Sequence, residues 1–565
     1  MTTLVAQPPR IRTQGQRQAS LVVAHQRLML LMLLFIAGAL LIAGRLLWLS
    51  VFADARSNGS AIASLIPKRG DIVDRNGQVL ARTMDAWSIG VHANKMLNDP
   101  EDLAPKLAQL MPERSEAEYL AILRSGVRFT YLRRRAMPDL VAQVNALGEP
   151  AIAYAREPQR LYPQTTLAAH VLGFTDFNGR GVAGMERVLD ARLTDPRTRG
   201  TAVALSIDTR VQAAMESELS DAMVKQRAKG ATGLVLDVHT GEVLAMVSLP
   251  VFNPNTPGRG VADARRNNVT QSVYELGSTF KPITVANAID TGVITAMDKR
   301  YDATAPLKVG GYTIHDDEPA HRWLNVPEAL IHSSNIVTAR IADELGQART
   351  ERMFRRLHFD AAPEIELRER GRPIWPVYWG RTTVMTIGYG HGMAVTPLHL
   401  ATAYAALVNG GIWRPSSLLR IAPGQAPRGS RVFSQATSNR MRQLLRMIVL
   451  DGTGRKADVA GFRIGGKTGT AEVPGRGGYS KTANVSTFAA AFPMDAPRYV
   501  VVAMLDEPQG SAESFGLRTA AWTVAPVAAK VIARIGPILG IVPDMSRDID
   551  VSELTPLVWK PKGEQ

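Results

Sequence analysis

Ser278-Thr279-Phe280-Lys281, followed by Ser333-Ser334-Asn335 and Lys467-Thr468-Gly469-Thr470, decides the reading of this 565-residue chain. A serine three positions before a lysine puts both side chains on one helix face, about one turn apart. Gly277 and Pro282 bracket the helix start, because proline is tolerated in a first turn and disfavoured deeper in. Ser278 then lies at the positive end of a helix dipole, where an oxyanion is stabilised. A Ser-x-x-Lys pair alone is usually a solvated face, and Ser-Ser-Asn alone a helix cap. One copy of each motif, in this order, instead points to a single acyl-transfer site.

For Lys281 to serve as general base, its pKa must fall from about 10.4 towards 7, a differential stabilisation of roughly 4 to 5 kcal/mol. Burial or a second cation must supply that, and Lys467 is the candidate cation. Lys467 begins a strand in which Gly469, lacking a side chain, lets a substrate backbone approach. Strand alternation points Lys467 and Gly469 to one face and Thr468 and Thr470 to the other, so both hydroxyls cannot be assumed to reach the site.

Gly461-Phe462-Arg463-Ile464-Gly465-Gly466-Lys467-Thr468 also satisfies a phosphate-loop pattern, but that motif requires a following helix. Here Gly469, Pro474, Gly475, Gly477 and Gly478 follow instead. His170, His239, His332 and His391 have no G-x-S-x-G elbow, and no H-E-x-x-H zinc helix exists. With no cysteines in the chain, disulfides and thiolate metal sites are excluded. No metal or cofactor is expected.

The composition, 45% hydrophobic and 21% charged, is that of a globular chain. Seventeen uncharged residues from Leu28 to Gly44, extended past Arg45 by Leu46 to Phe52, are enough to span a bilayer. Arg10, Arg12, Arg17 and Arg27 precede the span with no acidic residue, which keeps the amino terminus cytoplasmic and the bulk outside. Arg45 would snorkel to the outer interface beside Trp48. Ala53-Asp54-Ala55 resembles a signal-cleavage site, but the long apolar core and 27-residue arm favour a retained anchor. The net charge of +15 suits an anionic wall or lipid surface better than nucleic acid. Arg133-Arg134-Arg135 is the densest cluster after the span and reads as a solvated face.

Asn76-Gly77, between the alternating residues of Arg69 to Ala81, reads as a β-hairpin. Helical patterns occupy Asp102–Leu110 and Ala117–Leu123, in a region whose polar residues read as structural. A helix over Val211–Lys225 precedes two strands, Thr232–Val238 and Val243–Ser248, which pair across a tight turn. Helices are expected at Ser278–Asp290, Pro327–Ile331, Val337–Leu345, Pro397–Asn409 and Ala521–Ile535, and strands at Phe462–Val473, Val485–Phe492 and Tyr499–Leu505. Strands at both ends with helices between give an α+β fold, an antiparallel sheet flanked by helices with a helical subdomain. The chain divides into an arm, 1–27; a transmembrane anchor and interfacial segment, 28–52; a linker and mixed α/β pedestal, 53–210; a catalytic unit, 211–543; and an irregular tail, 544–565.

With these residues in view, the chain resembles class B penicillin-binding proteins, the monofunctional peptidoglycan D,D-transpeptidases. The likeness runs from the anchor to about residue 540. It includes Arg69 to Ala81, Arg160 to Pro163, Gly181 to Glu186, Ser206 to Asp208, Thr240 to Glu242, Tyr274 to Pro282, Gly388 to Gly390 and Val395 to Leu398. His399 departs from it, standing where glutamine is expected, and puts local packing in question. The resemblance implies that Ser278 attacks the carbonyl between the terminal D-alanines of a stem peptide while Lys281 takes its proton. Ser333 would relay a proton to the departing D-alanine, and Asn335 would hold the stem backbone. Backbone N–H groups of Ser278 and Thr470 would form the oxyanion hole, and Lys467 with Thr468 or Thr470 would recognise the carboxylate. An amine from a neighbouring stem would resolve the ester as a cross-link, water in its place would give carboxypeptidase activity, and β-lactams would acylate the same serine.

Other readings share some of these motifs. A β-lactamase needs a water-activating base that the sequence does not identify. A membrane-bound β-lactam sensor should carry an intracellular signalling domain, yet only 27 residues precede the span. A silent scaffold would not need the complete catalytic set. Similarity to septal members, including Asp506-Glu507-Pro508, favours division over elongation, with a multi-spanning membrane glycosyltransferase and other division proteins as partners.

Overall fold

The computed structural model describes residues 15–52, 69–475 and 478–559. The Ala53-Asp54-Ala55 site, the first 14 residues of the arm and the linker before Arg69 lie outside them. Helix α1, Gly15–Phe52, begins well ahead of the expected span, so part of the arm is helical. Within it, His25–Arg45 is long and apolar enough to cross a membrane. Residues 68–565 form a separate compact unit.

That unit opens with β1, Ile72–Val73, and β2, Val79–Val91, paired antiparallel. The expected hairpin is present, but Asp74 builds its turn. Its Oδ1 accepts from Asn76 N at 2.7 Å and Gln78 N at 2.9 Å, while Gly77 takes φ +88°. Helices α2, Pro100–Leu110, and α3, Glu116–Arg124, lie where their periodicity places them, each started by a side-chain cap, Asp99 and Ser115. With α4, Pro138–Asn145, they cover one face of a sheet made by β2, β3, Thr130–Ala136, and β4, Ile152–Leu161. The arginine run lies on β3 and is not merely a solvated face. Arg133 pairs with Glu113 at 2.6 Å, Arg134 with Glu157, and Arg135 lies over the Phe177 ring.

A buried ion cluster ties together three segments beside this sheet. Glu186 is fully buried between Arg69, at 2.6 Å, and Arg160, at 2.7 Å, and Arg69 also pairs with Asp190. Such charges hold together only as a complete set, because each alone would be buried without compensation. The stretches Arg69, Arg160 and Gly181 to Glu186, far apart in sequence, meet here. Strand β5, Val203–Ala204, then pairs parallel with β1 and leads into α5, Thr209–Lys225. Asp74 Oδ2 accepts from the Thr209 hydroxyl at 2.8 Å, tying the hairpin to the start of α5.

The second sheet is five-stranded and antiparallel. Its strands are β6, Gly230–Asp237; β7, Val243–Leu249; β8, Gly465–Gly475; β9, Gly478–Phe492; and β10, Tyr499–Asp506, in the order β8-β9-β10-β6-β7. Leu234, Leu236, Val500, Val502 and Met504 face one core, and Val235, Val501, Ala503 and Leu505 the other, so the inner strands are apolar on both faces. On the first face lie α6, Lys281–Asp290; α7, Val326–Ile331; α8, Asn335–Arg356; α9, Arg381–Gly388; α10, Pro397–Val408; and α11, Gln435–Asp451. On the second lie α5 and α12, Ala525–Ile538, the latter split from a short turn over Ala520–Thr523.

Several boundaries differ from expectation. Ser278 lies in a 3-10 turn, Gly277–Phe280, and the α-helix starts at Lys281. α8 continues past Leu345 through a bend at Gly346, and α9 and α11 were not anticipated. The strand expected from Phe462 begins at Gly465. The described part of the tail, 544–559, is irregular apart from a 3-10 turn over Thr555–Leu557, but docked: Leu554 is buried, Asn325 Nδ2 donates to Leu557 O at 2.6 Å, and Arg446 pairs with Asp548 at 2.7 Å.

Candidate active site

The three motifs arrive from three elements and meet at one cleft. The 3-10 turn carrying Ser278 packs on edge strand β8 at Gly469. A Cβ there would stand 2.5 Å from Leu276 O and 2.7 Å from Thr279 Cγ2, so only glycine admits the turn. Gly390 serves likewise from the other side, where a Cβ would overlap the Gly277 carbonyl. The Tyr404 hydroxyl, donating to Thr279 O at 2.9 Å from the buried helix α10, pins the turn from beneath. Ser278 itself remains partly exposed.

Lys281 is fully buried, and its Nζ donates to the Ser333 carbonyl and to Ser333 Oγ at 3.0 Å. Burial pushes its pKa down to about 7, against the opposing charges of Asp316 and Asp317. Desolvation is therefore the main cause, where a second cation had been the alternative. Lys467 is also fully buried and held well below the usual lysine range, first by burial and then by the charge of Lys281. Its Nζ donates to Thr468 O at 3.0 Å and Thr468 Oγ1 at 3.2 Å.

The Ser-Ser-Asn turn divides its labour. Ser334 is the N-cap of α8, accepting from Val337 N at 3.1 Å, and so takes the structural role such a tripeptide usually has. Ser333 is thrown into the cleft at φ +58°, a left-handed conformation unfavourable for a residue with a Cβ. Asn335 opens α8, and its Nδ2 donates to His315 O at 2.8 Å, leaving Oδ1 to accept from a ligand.

The hydroxyls of Thr468 and Thr470 have different neighbours, although strand alternation puts both on one face of β8. Thr468 Oγ1 donates to Thr453 Oγ1 at 2.8 Å, whereas Thr470 Oγ1 accepts from Ala520 N at 3.0 Å. Because Gly461–Thr468 runs into a strand and not a helix, the phosphate-loop pattern has no cradle.

Two residues absent from the sequence reading hold this site. Asp316 accepts from the Ser334 hydroxyl at 2.7 Å and from Ile336 N at 2.9 Å, gripping the turn on both sides of Asn335. Thr453, in the turn after α11, supports Thr468 and lies 3.4 Å from Lys467 Nζ. The only sequence signal for Asp316 is the acidic run Asp316-Asp317-Glu318, and none marks Thr453. Of the histidines, His170 is buried and bonded to Ala264 O at 2.7 Å, and burial lowers its pKa to about 4, which keeps it neutral. His399 fills the third position of a capping box with Thr396 and contacts Ala361 O at 3.1 Å, so the departure from glutamine is accommodated locally.

A serine at a helix start, a buried lysine with a lowered pKa, a second buried lysine and a serine-bearing turn, against an edge strand, are the parts of a serine acyltransferase of the penicillin-recognising type. A penicillin-binding protein transpeptidase domain model matches residues 231–530, and a penicillin-binding protein dimerisation domain model matches residues 64–194. A Caulobacter vibrioides protein described as "Probable peptidoglycan D,D-transpeptidase FtsI" is 41% identical over 508 residues, covering 87% of this chain and 85% of its own. The Escherichia coli K12 "Peptidoglycan D,D-transpeptidase FtsI" is 28% identical over 568 residues, covering 92% and 93%. A crystal structure of a peptidoglycan synthetase from Bifidobacterium adolescentis shares the fold, with a TM-score of 0.66 at 22% identity over 86% of this chain and 98% of that one. The chain belongs to the class B penicillin-binding proteins.

Proposed function

We propose that this protein is a peptidoglycan D,D-transpeptidase that cross-links stem peptides through an acyl-enzyme on Ser278, in septal wall synthesis. The observation that carries this is Lys281, a buried amine whose pKa burial pushes down to about 7, bonded to Ser333 and about one turn from a partly exposed serine. Family membership and the names carried by its relatives support the reaction class.

In this reading neutral Lys281 takes the Ser278 proton as Oγ attacks the carbonyl between the two terminal D-alanines. The N–H groups of Ser278 and Thr470 stabilise the oxyanion. Ser333, already bonded to Lys281, returns the proton to the departing D-alanine. Asn335 Oδ1 accepts from the stem backbone, and the peptide runs along the edge of β8 that no strand covers. Lys467, with Thr468 or Thr470, takes the terminal carboxylate. The acceptor amine of a neighbouring stem then attacks the ester.

The anchor in α1, an inward amino terminus, a pedestal over 53–210 and a catalytic unit over 211–543 suit a protein held at the cytoplasmic membrane with its chemistry outside. A separate membrane glycosyltransferase would supply the strands. Ser278→Ala is expected to abolish covalent penicillin labelling and cross-linked product from lipid-linked precursor while leaving the thermal transition in place. Stoichiometric labelling of that variant would overturn the nucleophile, and rapid hydrolysis of the wild-type adduct without cross-linking would favour a β-lactamase.

A further inference from the structure

We infer that the exposed face of the far limb of α8 docks the uncross-linked glycan strand, taking the carboxylates of stem peptides that neighbour the one in the cleft. This rests on the transpeptidase reading above. Beyond the bend at Gly346 (φ +71°), Arg349, Arg352, Arg355 and Arg356 are exposed, while Thr350, Met353 and Phe354 are buried. Spacings of three, four and seven place the arginines on one face. Arg355 is compensated by Glu351 at 2.8 Å and Asp360 at 2.7 Å, and lies over the Trp375 ring. Among the described residues, no carboxylate pairs with Arg349, Arg352 or Arg356, and Arg356 Nη2 donates to the Arg431 carbonyl.

Helix electrostatics explain only part of this. Arg355 and Arg356 sit in the last turn, where the dipole favours cations. Arg349 lies in the first turn after the bend, where the dipole disfavours one, and like charges at these spacings repel. Folding stability alone therefore does not call for this row. Arg352, Arg355 and Arg356, with Ala348 and Glu351, line an open hollow of about 500 Å³.

Guanidinium groups pair with carboxylates through two parallel hydrogen bonds. A strand bearing a stem peptide on successive sugars repeats such carboxylates, matching a row of arginines in which Arg355 alone pairs with acids. The first limb begins at Asn335 in the site, so at about 1.5 Å per residue on each side of the bend the face lies about 20 to 30 Å from the site along the helix path. A strand seated there would hold its next stems near the cleft.

The test uses the full chain in detergent and soluble uncross-linked glycan strands, with native or amidated stem carboxylates, comparing wild type with R349Q/R352Q/R356Q. The variant should bind native strands about ten-fold more weakly. Wild-type binding should weaken with added salt and on amidation, and penicillin acylation should be equal in both proteins. Equal strand binding by the two proteins, or equal wild-type affinity for native and amidated strands, would overturn the proposal. So would unchanged strand binding with loss of an acidic protein partner, which would assign the face to that partner. Absence of acylation in wild type would defeat the transpeptidase reading while the strand comparison still decided the docking face.

Discussion

Replacing Asp316 by alanine removes the one carboxylate that grips the Ser333 turn from both sides. Asp316 is only 8% exposed and accepts from the Ser334 hydroxyl at 2.7 Å and Ile336 N at 2.9 Å, both buried bonds. Leaving two buried donors unsatisfied costs about 1 to 3 kcal/mol each, so the variant should lose roughly 2 to 6 kcal/mol of stability or relax the turn. Relaxation is the easier course, because Ser333 is held at φ +58° and release from that region recovers roughly 1 to 3 kcal/mol. A displacement of Ser333 Oγ by about 1 Å from Lys281 should slow acylation on the order of 100-fold. The charge effect has a definite sign as well. Asp316 raises the pKa of Lys281, so its loss lowers that pKa and makes the neutral amine available at lower pH. The acid limb of the rate profile should thus move to lower pH even as the plateau falls. Asp316→Asn keeps Oδ1 for Ile336 N, and should recover part of the plateau while retaining the acidward shift. The assay is the second-order rate of labelled-penicillin acylation from about pH 5 to about pH 9, beside thermal unfolding. Wild-type rates in the alanine variant, or an acid limb displaced to higher pH, would refute the reasoning.

In the wild type, acylation should fall about ten-fold per pH unit below a pKa near 7 and level off above it, since only neutral Lys281 accepts the serine proton; a limb near the ordinary lysine value would remove Lys281 as the base. Gly469→Ala forces a methyl group to 2.5 Å from Leu276 O and should slow acylation at least 100-fold by parting β8 from the Ser278 turn, read as a rate with the fold checked by circular dichroism; an unimpaired rate would show the contact to be slack. Glu186→Gln leaves Arg69 and Arg160 short of a buried counter-charge and should destabilise the pedestal by about 3 to 5 kcal/mol, seen as a lowered thermal transition; an unchanged transition would mean that the cluster adds nothing.

Local sequence was enough for elements whose own pattern matches their surroundings. Strands β6 and β10 lie inside the sheet and β7 at its edge, and all three are continuous apolar runs because both faces are covered, while α5 and α10 lie within a residue or two of their periodic stretches. In α11, which was not anticipated, Met441, Leu444, Leu445 and Ile448 stand at helical spacing with Arg440, Arg442 and Arg446 among them. Strands β3 and β4 were not legible. Arg133 to Arg135 and Arg156 break any alternation, and only pairing with β2 makes those segments strands.

The chemistry divides along the same line. Residue type and spacing marked the candidate reacting groups, since Ser278 and Lys281 are neighbours on one turn, and the apolar run of α1 marked a stretch able to span a membrane from composition alone. Tertiary structure decided what no local pattern holds: that Lys281 and Lys467 are stripped of water, that Ser334 caps while Ser333 reaches the cleft, and that Asp316 and Thr453 support them from distant loops. The physical reason is that a pKa shift and a strained turn are properties of a packed environment, and packing joins residues whose separation along the chain carries no signal.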